Sequence, residues 1–110
     1  MRYERTASFK ADYKKLSDAE QLLFRKAALE FAAASERMVE DPTHAWPSSL
    51  RVKSVRGAPG VWEMTWSFSG PDGRATWEWT TVEIEDDAQT TRTPAIRWRR
   101  VGNHSIFSDP

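Results

Sequence analysis

Residues 61–68 read Val61-Trp62-Glu63-Met64-Thr65-Trp66-Ser67-Phe68. Large apolar and polar side chains alternate here: Trp62, Met64, Trp66 and Phe68 fall on one side, Glu63, Thr65 and Ser67 on the other. A period of two predicts a strand with one buried and one open face, whereas a helix would scatter these residues around its axis. Ser69-Gly70-Pro71-Asp72-Gly73 follows, with the composition of a hairpin turn. From Arg74 to about Ile84 the alternation resumes, with Ala75, Trp77 and Trp79 on the apolar side and Arg74, Thr76 and Glu78 opposite. Two such strands joined by a tight turn predict an antiparallel sheet with a single face committed to a core.

The same reading extends both ways along the chain. Leu50 to Val55 predicts a preceding strand, turned by Arg56-Gly57-Ala58-Pro59-Gly60. Ala95 to Val101 predicts the last strand, with Ile96 and Trp98 inward and Arg97 and Arg99 outward. Between these, Glu85 to Pro94 is acidic and polar and reads as a solvated loop. Upstream, Tyr3 to Ala7 fits either a short edge strand or an arm. Phe9, Tyr13 and Leu16 recur at helical spacing. Ser17 with Glu20 three residues later forms a capping box, which starts a second helix running to about Val39. On that helix Leu22, Leu23, Lys26, Leu29 and Ala33 trace one side, with Ala27, Phe31, Ala34 and Met38 nearby; Arg25, Glu36 and Arg37 face water. Asp41-Pro42 ends it. The expected architecture is α+β: a single domain over residues 1–110, with two N-terminal helices packed on one face of a small, mostly antiparallel four- to five-stranded sheet.

Composition bounds what such a domain does. The chain has 110 residues, 39% of them apolar and six of them tryptophan, enough for one core. There is no cysteine, which excludes a disulfide framework and thiolate metal sites and fits a cytoplasmic setting. No run approaches ~18 apolar residues, so no membrane span is expected. Met1-Arg2-Tyr3-Glu4-Arg5 has no apolar stretch behind it, so no signal peptide is expected. His44 and His104 are the only histidines, too isolated to suggest a metal site. The chain has no phosphate-cradling P-loop, no GxGxxG and no GxSxG.

Sixteen basic and sixteen acidic residues cancel. Their distribution is predicted to be lopsided, because the sheet face away from the helices collects Arg51, Lys53, Arg74, Arg97 and Arg99 with Glu63, Glu78, Thr65 and Thr76. Such a face is either a solvated surface with cross-strand ion pairs or a phosphate-binding surface around a scissile bond.

Several stretches, in order along nearly the whole chain, resemble RelE/HigB-like toxins of bacterial toxin–antitoxin pairs. They are Phe9-Lys10 with Tyr13-Lys14-Lys15-Leu16-Ser17; Leu50-Arg51-Val52-Lys53; Gly57 with Gly60-Val61-Trp62-Glu63-Met64; Gly73-Arg74-Ala75-Thr76; and Trp98-Arg99-Arg100-Val101-Gly102-Asn103-His104-Ser105-Ile106-Phe107 with Pro110. The resemblance implies a metal-independent endoribonuclease without cofactors, which cleaves mRNA, often on the ribosome, and is neutralised by a cognate antitoxin, usually of helix–turn–helix type. It implies that Arg74 binds phosphate and that Arg51 and Lys53 bind RNA and stabilise the transition state. Glu63 stands as the base or as an ion-pair partner of Arg74. His104 stands for acid–base work or as a cap on the C-terminal tail, and an imidazole exchanges its proton near neutrality. Arg97, Arg99 and Arg100 are expected to hold phosphate or to flank the site. Neutral net charge, and Ser105 where relatives tend to carry an acid, depart from the family's pattern. A ParE-like gyrase inhibitor acting by binding, and a non-catalytic antitoxin-binding protein, are the alternatives on the same fold.

Overall fold

A computed structural model describes residues 1–67 and 72–110. Phe68 and most of the turn read at 69–73 lie outside the described residues. Strands β1 (Arg2–Arg5), β2 (Lys53–Ser54), β3 (Trp62–Ser67), β4 (Gly73–Asp86) and β5 (Gln89–Gly102) form one sheet in the order β1-β5-β4-β3-β2. β1 runs parallel to β5 and every other pairing is antiparallel, so the sheet is mixed. Helices α1 (Ala7–Lys15) and α2 (Asp18–Glu40) supply the second layer of an α+β domain.

Local chemistry starts each helix where the sequence places it. Thr6 accepts the Phe9 amide at 3.0 Å and donates its hydroxyl to the Arg99 carbonyl at 2.7 Å, which ties the head of α1 to β5. Ser17 and Glu20 make both bonds of the capping box, at 3.1 and 2.9 Å. The Gln21 side-chain amide donates to the Tyr13 carbonyl, bracing the corner between the helices.

The core is aromatic. Phe9, Phe24 and Phe31 come down from the helices onto Met64, Trp66, Trp77, Ile96, Trp98 and Val101 of the sheet. Phe31 sits at its centre, with ring centroids 5.0 Å from Trp77 and 4.9 Å from Trp98. Trp46, from the loop after α2, stacks on Phe31 at 5.1 Å, and Trp62 stacks on Trp77 at 5.8 Å. Tilted and stacked pairs at these spacings add about 0.5–1.5 kcal/mol each beyond their area burial.

Three expectations are overturned. On α2 the buried stripe is Phe24, Phe31, Ala34 and Ser35, with Ala27 and Ala28 packed beside it. Leu22, Leu23 and Leu29 are exposed instead, because the two phenylalanines seven residues apart, the largest apolar groups on the helix, decide which side turns inward. The strand expected over Leu50 to Val55 is reduced to Lys53–Ser54. Leu50 closes a 3₁₀ turn from Ser48, and Arg51 takes a left-handed conformation (φ 46°) that no extended strand accommodates. The solvated loop expected over Glu85 to Pro94 does not exist. β4 continues to Asp86 and turns through Asp87 and Ala88, both at positive φ as a tight two-residue hairpin requires, and β5 returns from Gln89. Pro94, which has no amide hydrogen to give, sits just before the point where β1 joins the free edge of β5 at Ala95.

Candidate functional site

Since Trp62, Met64, Ala75, Trp77 and Trp98 are part of, or pack against, the helix-covered core, Glu63, Thr65, Arg74, Thr76, Glu78 and Arg97 alternate onto the opposite face. Two polar arrays form there. In the first, Lys53 of β2 and Arg74 of β4 approach the same oxygen of Glu63 on the intervening β3: Nζ lies 3.8 Å and Nε 3.9 Å from Oε1. The Arg74 guanidinium also meets Asp72 at 3.2 Å. Glu63 and Arg74 are well covered, with side chains 10% and 12% exposed, while Lys53 at 70% forms the open rim. Arg74 is held by its backbone as well, because the Trp66 indole N–H donates to its carbonyl at 2.9 Å. Gly73 lets that indole lie so close that an added Cβ would come within 2.4 Å of the ring. Next to the array is Thr76, fully buried, its hydroxyl without a hydrogen-bond partner among the described residues.

In the second array, Glu78 takes Arg97 at 2.8 Å and Arg99 at 2.9 Å, and Arg97 also reaches Glu4 of β1 at 3.1 Å. The hydrogen bonds that Arg97 donates to Glu78 and then to Glu4 raise its pKa above the ordinary value. Arg100 leaves this face and grips Asp12 of α1 through two nitrogens, at 2.6 and 3.2 Å, and that bond raises its pKa. The same carboxylate accepts the Val101 amide.

The structure therefore brings Lys53, Glu63 and Arg74 together and ties Arg97, Arg99 and Arg100 to carboxylates. Arg51 is exposed, on the left-handed residue that follows the 3₁₀ turn. His104 opens the turn His104–Ser108, two residues beyond Gly102, the ladder partner of Arg74. It is exposed, and its ring meets Phe107 edge-on at 5.0 Å. The outer face carries matched charges, and exposed basic residues occur on other elements too, among them Arg2 and Arg5 of β1 and Lys10, Lys14 and Lys15 of α1. Sequence reading missed Asp12, Asp72 and Glu4 as partners. Asp72, two residues before Arg74 in a turn, was open to inference. Asp12 meets Arg100 from 88 residues away and Glu4 meets Arg97 from 93, separations that leave no spacing signal.

Concavities among the described residues flank the sheet. A groove of about 480 Å³ runs between the helix corner and the end of the sheet, lined in part by Asp12, Lys15, Glu20, Trp66, Arg100 and Ser105. A mostly apolar one of about 360 Å³ lies along α2 beside β1, formed by Tyr3, Arg25, Ala28, Leu29, Ala32 and Trp98. Among the described residues, no group of three or more His, Asp or Glu side chains is placed to hold a metal, and no helix is long and apolar enough to cross a membrane. No protein-family model, no curated protein and no solved structure matches this chain.

Proposed function

We propose that this chain is the toxin of a toxin–antitoxin pair, an endoribonuclease that cleaves mRNA on the ribosome and so halts translation. One observation carries the reading: Lys53, Glu63 and Arg74 converge from three adjacent strands, with both cations on a single carboxylate oxygen. Cleavage of RNA with its own 2′-hydroxyl as nucleophile needs a base, an acid and cations, and no cofactor. Glu63 takes the proton of the 2′-hydroxyl. The 2′-oxygen then attacks the adjacent phosphorus, and the bond to the 5′-oxygen breaks as His104 delivers a proton to it. A 2′,3′-cyclic phosphate and a 5′-hydroxyl result. Arg74 and Lys53 neutralise the charge that builds on the phosphoryl oxygens. Lys53 at the open rim of the array, and Arg2, on the same face of β1 as Glu4, give the RNA backbone contacts despite the neutral net charge. The apolar groove along α2 suits a helix of the antitoxin, with Leu29 and Tyr3 as contacts. A cytoplasmic location follows from the substrate.

The ion-paired outer face favours a second reading, a binding protein without catalysis that serves only to hold the antitoxin. Induction of the wild-type chain, Arg74→Ala and the exposed-site variant His104→Ala in bacteria lacking the antitoxin, with mRNA 5′ ends mapped, separates the two. Growth arrest with new breaks inside coding regions, lost in both variants, is the expected result. Arrest with intact mRNA rejects the nuclease and points to a bound target such as gyrase. No arrest leaves the binding role.

A further inference from the structure

The segment after β5 folds back onto the body of the domain. Asn103 caps a 3₁₀ turn by accepting the Ser105 amide at 2.8 Å, Ile106 is buried against Gly102, and the Asp109 amide donates to the Ile106 carbonyl. This hook delivers two main-chain oxygens to two guanidinium groups. The Pro110 oxygen accepts from both Nε and Nη2 of Arg99, at 3.2 and 3.0 Å, and the Asp109 oxygen accepts from Arg100 at 3.0 Å. The Nε–Nη2 edge is the one on which arginine receives a carboxylate or phosphate, each N–H taking its own oxygen, and here a single main-chain oxygen rests on that edge. The surroundings suit an anion as well. Thr6 and Ser8 at the head of α1 line the same small cavity, of about 180 Å³, with Asp109 and the two arginines, and the positive end of the helix dipole lies there. Arg99 is tied to Glu78 by its remaining terminal nitrogen, so its position is fixed whether or not the tail is in place.

We propose that residues 104–110 act as an internal ligand, occupying an anion site built by Arg99, Arg100 and the head of α1, which an RNA phosphate takes over only when the tail lifts. This rests on the RNA-cleaving reading and adds its regulation: the tail holds the site closed, and displacement by the substrate opens it. The tail is tied down by one buried side chain, Ile106, and by hydrogen bonds that a phosphate replaces in kind. Such a segment belongs to the low-stability end of a fold, where opening is cheap.

The test uses a 2′-O-methyl RNA oligonucleotide, which lacks the nucleophile and stays intact, with affinity read by fluorescence anisotropy. If the tail is lifted in about a tenth of molecules, Ile106→Ser binds about tenfold more tightly than the wild-type chain. Adding Arg99→Ala removes that gain. Equal affinity of wild type and Ile106→Ser overturns the tail proposal and leaves RNA binding standing. A gain that survives Arg99→Ala also overturns it, since the tail would then be covering something else. Absence of binding in every variant rejects the RNA reading and the inference with it. Hydrogen exchange on the unmodified chain tests the same displacement without a substitution at a buried site. The Ile106 and Asp109 amides lose protection when the oligonucleotide binds if the tail is displaced, and unchanged or increased protection sinks the idea.

Discussion

The two halves of the β4–β5 hairpin are built from the same strands, in the same ladder, in unlike surroundings. From Gly73 to Trp79, and on the return from Ala95 to Gly102, the hairpin carries helices on one face and neighbours β3 and β1 at its edges. From Thr80 to Pro94 it is a two-stranded ribbon paired only with itself, and the molecule is 49 Å long against 30 and 29 Å in its other directions. Ala75, Trp77, Ile96 and Val101 are almost wholly buried in the first half, whereas in the second even Val82 and Ile84 stay partly open. The two strands are paired through both halves, with one register shift beside Thr76 in the covered half, so pairing alone does not make a strand part of a core. A two-stranded ribbon without a covering layer is marginal in water. The difference in stability must come from what lies on its face.

The sharpest way to break this comparison is to remove the largest side chain of the covered half. Trp77 is fully buried among Phe31, Trp46, Trp62 and Trp79, and Trp77→Ala is expected to destabilise the fold by about 3–5 kcal/mol in urea titration. A cost near that of a surface substitution would mean that the covering layer is not what holds the hairpin. Next comes Gly73→Ala, whose new methyl would overlap the Trp66 ring. Here we expect a loss of about 1–3 kcal/mol, together with a shift in tryptophan fluorescence as the indole gives way. A silent Gly73→Ala would show that the ring already moves freely and that Arg74 is not braced through it. The smallest effect belongs to the tip, where Ala88 has φ +65°. A left-handed alanine costs about 1 kcal/mol, so Ala88→Gly relieves strain there without touching the body. The expected reading is slower hydrogen exchange at residues 82–91 with the midpoint of global unfolding unchanged. A shift of the midpoint as large as the local change would join the two halves into one cooperative unit.

The same contrast explains what was legible in the sequence. The covered half announces itself by alternation, because one face must be apolar and the other need not be: Trp62, Met64, Ala75 and Trp77 can be assigned to a side without coordinates. In the ribbon neither face is buried, and the alternation of Val82 and Ile84 is diluted by Glu83, Glu85, Asp86 and Asp87 until it reads as a loop. What remained was the threonine-rich return Thr90, Thr91 and Thr93, a weak strand signal, and an Asp87-Ala88 turn lacking the glycine that marks such hairpins. On α2, counting apolar positions favoured the leucines, while the volume of Phe24 and Phe31 decided the matter. For the site, Lys53, Glu63 and Arg74 follow from strand order and alternation. The partners of Arg97 and Arg100 depend on a parallel pairing and a helix placement that only the folded chain reveals.

The ladder between β4 and β5 pairs Trp77 with Trp98 and Thr76 with Arg100, which leaves Arg99 as a residue the pairing skips. A strand ordinarily tolerates no change of length, since one residue fewer sends every later side chain to the wrong side of the sheet. At Arg99 the rule inverts. Excising it joins Trp98 directly to Arg100, restores an unbroken ladder and keeps Val101 toward the helices, while excising Arg97 would turn Trp98 outward and excising Trp98 would remove that ring from the core. Arg99 is thus a dispensable length of chain carrying an indispensable charge: the fold would survive its deletion, and the seat of the tail would not.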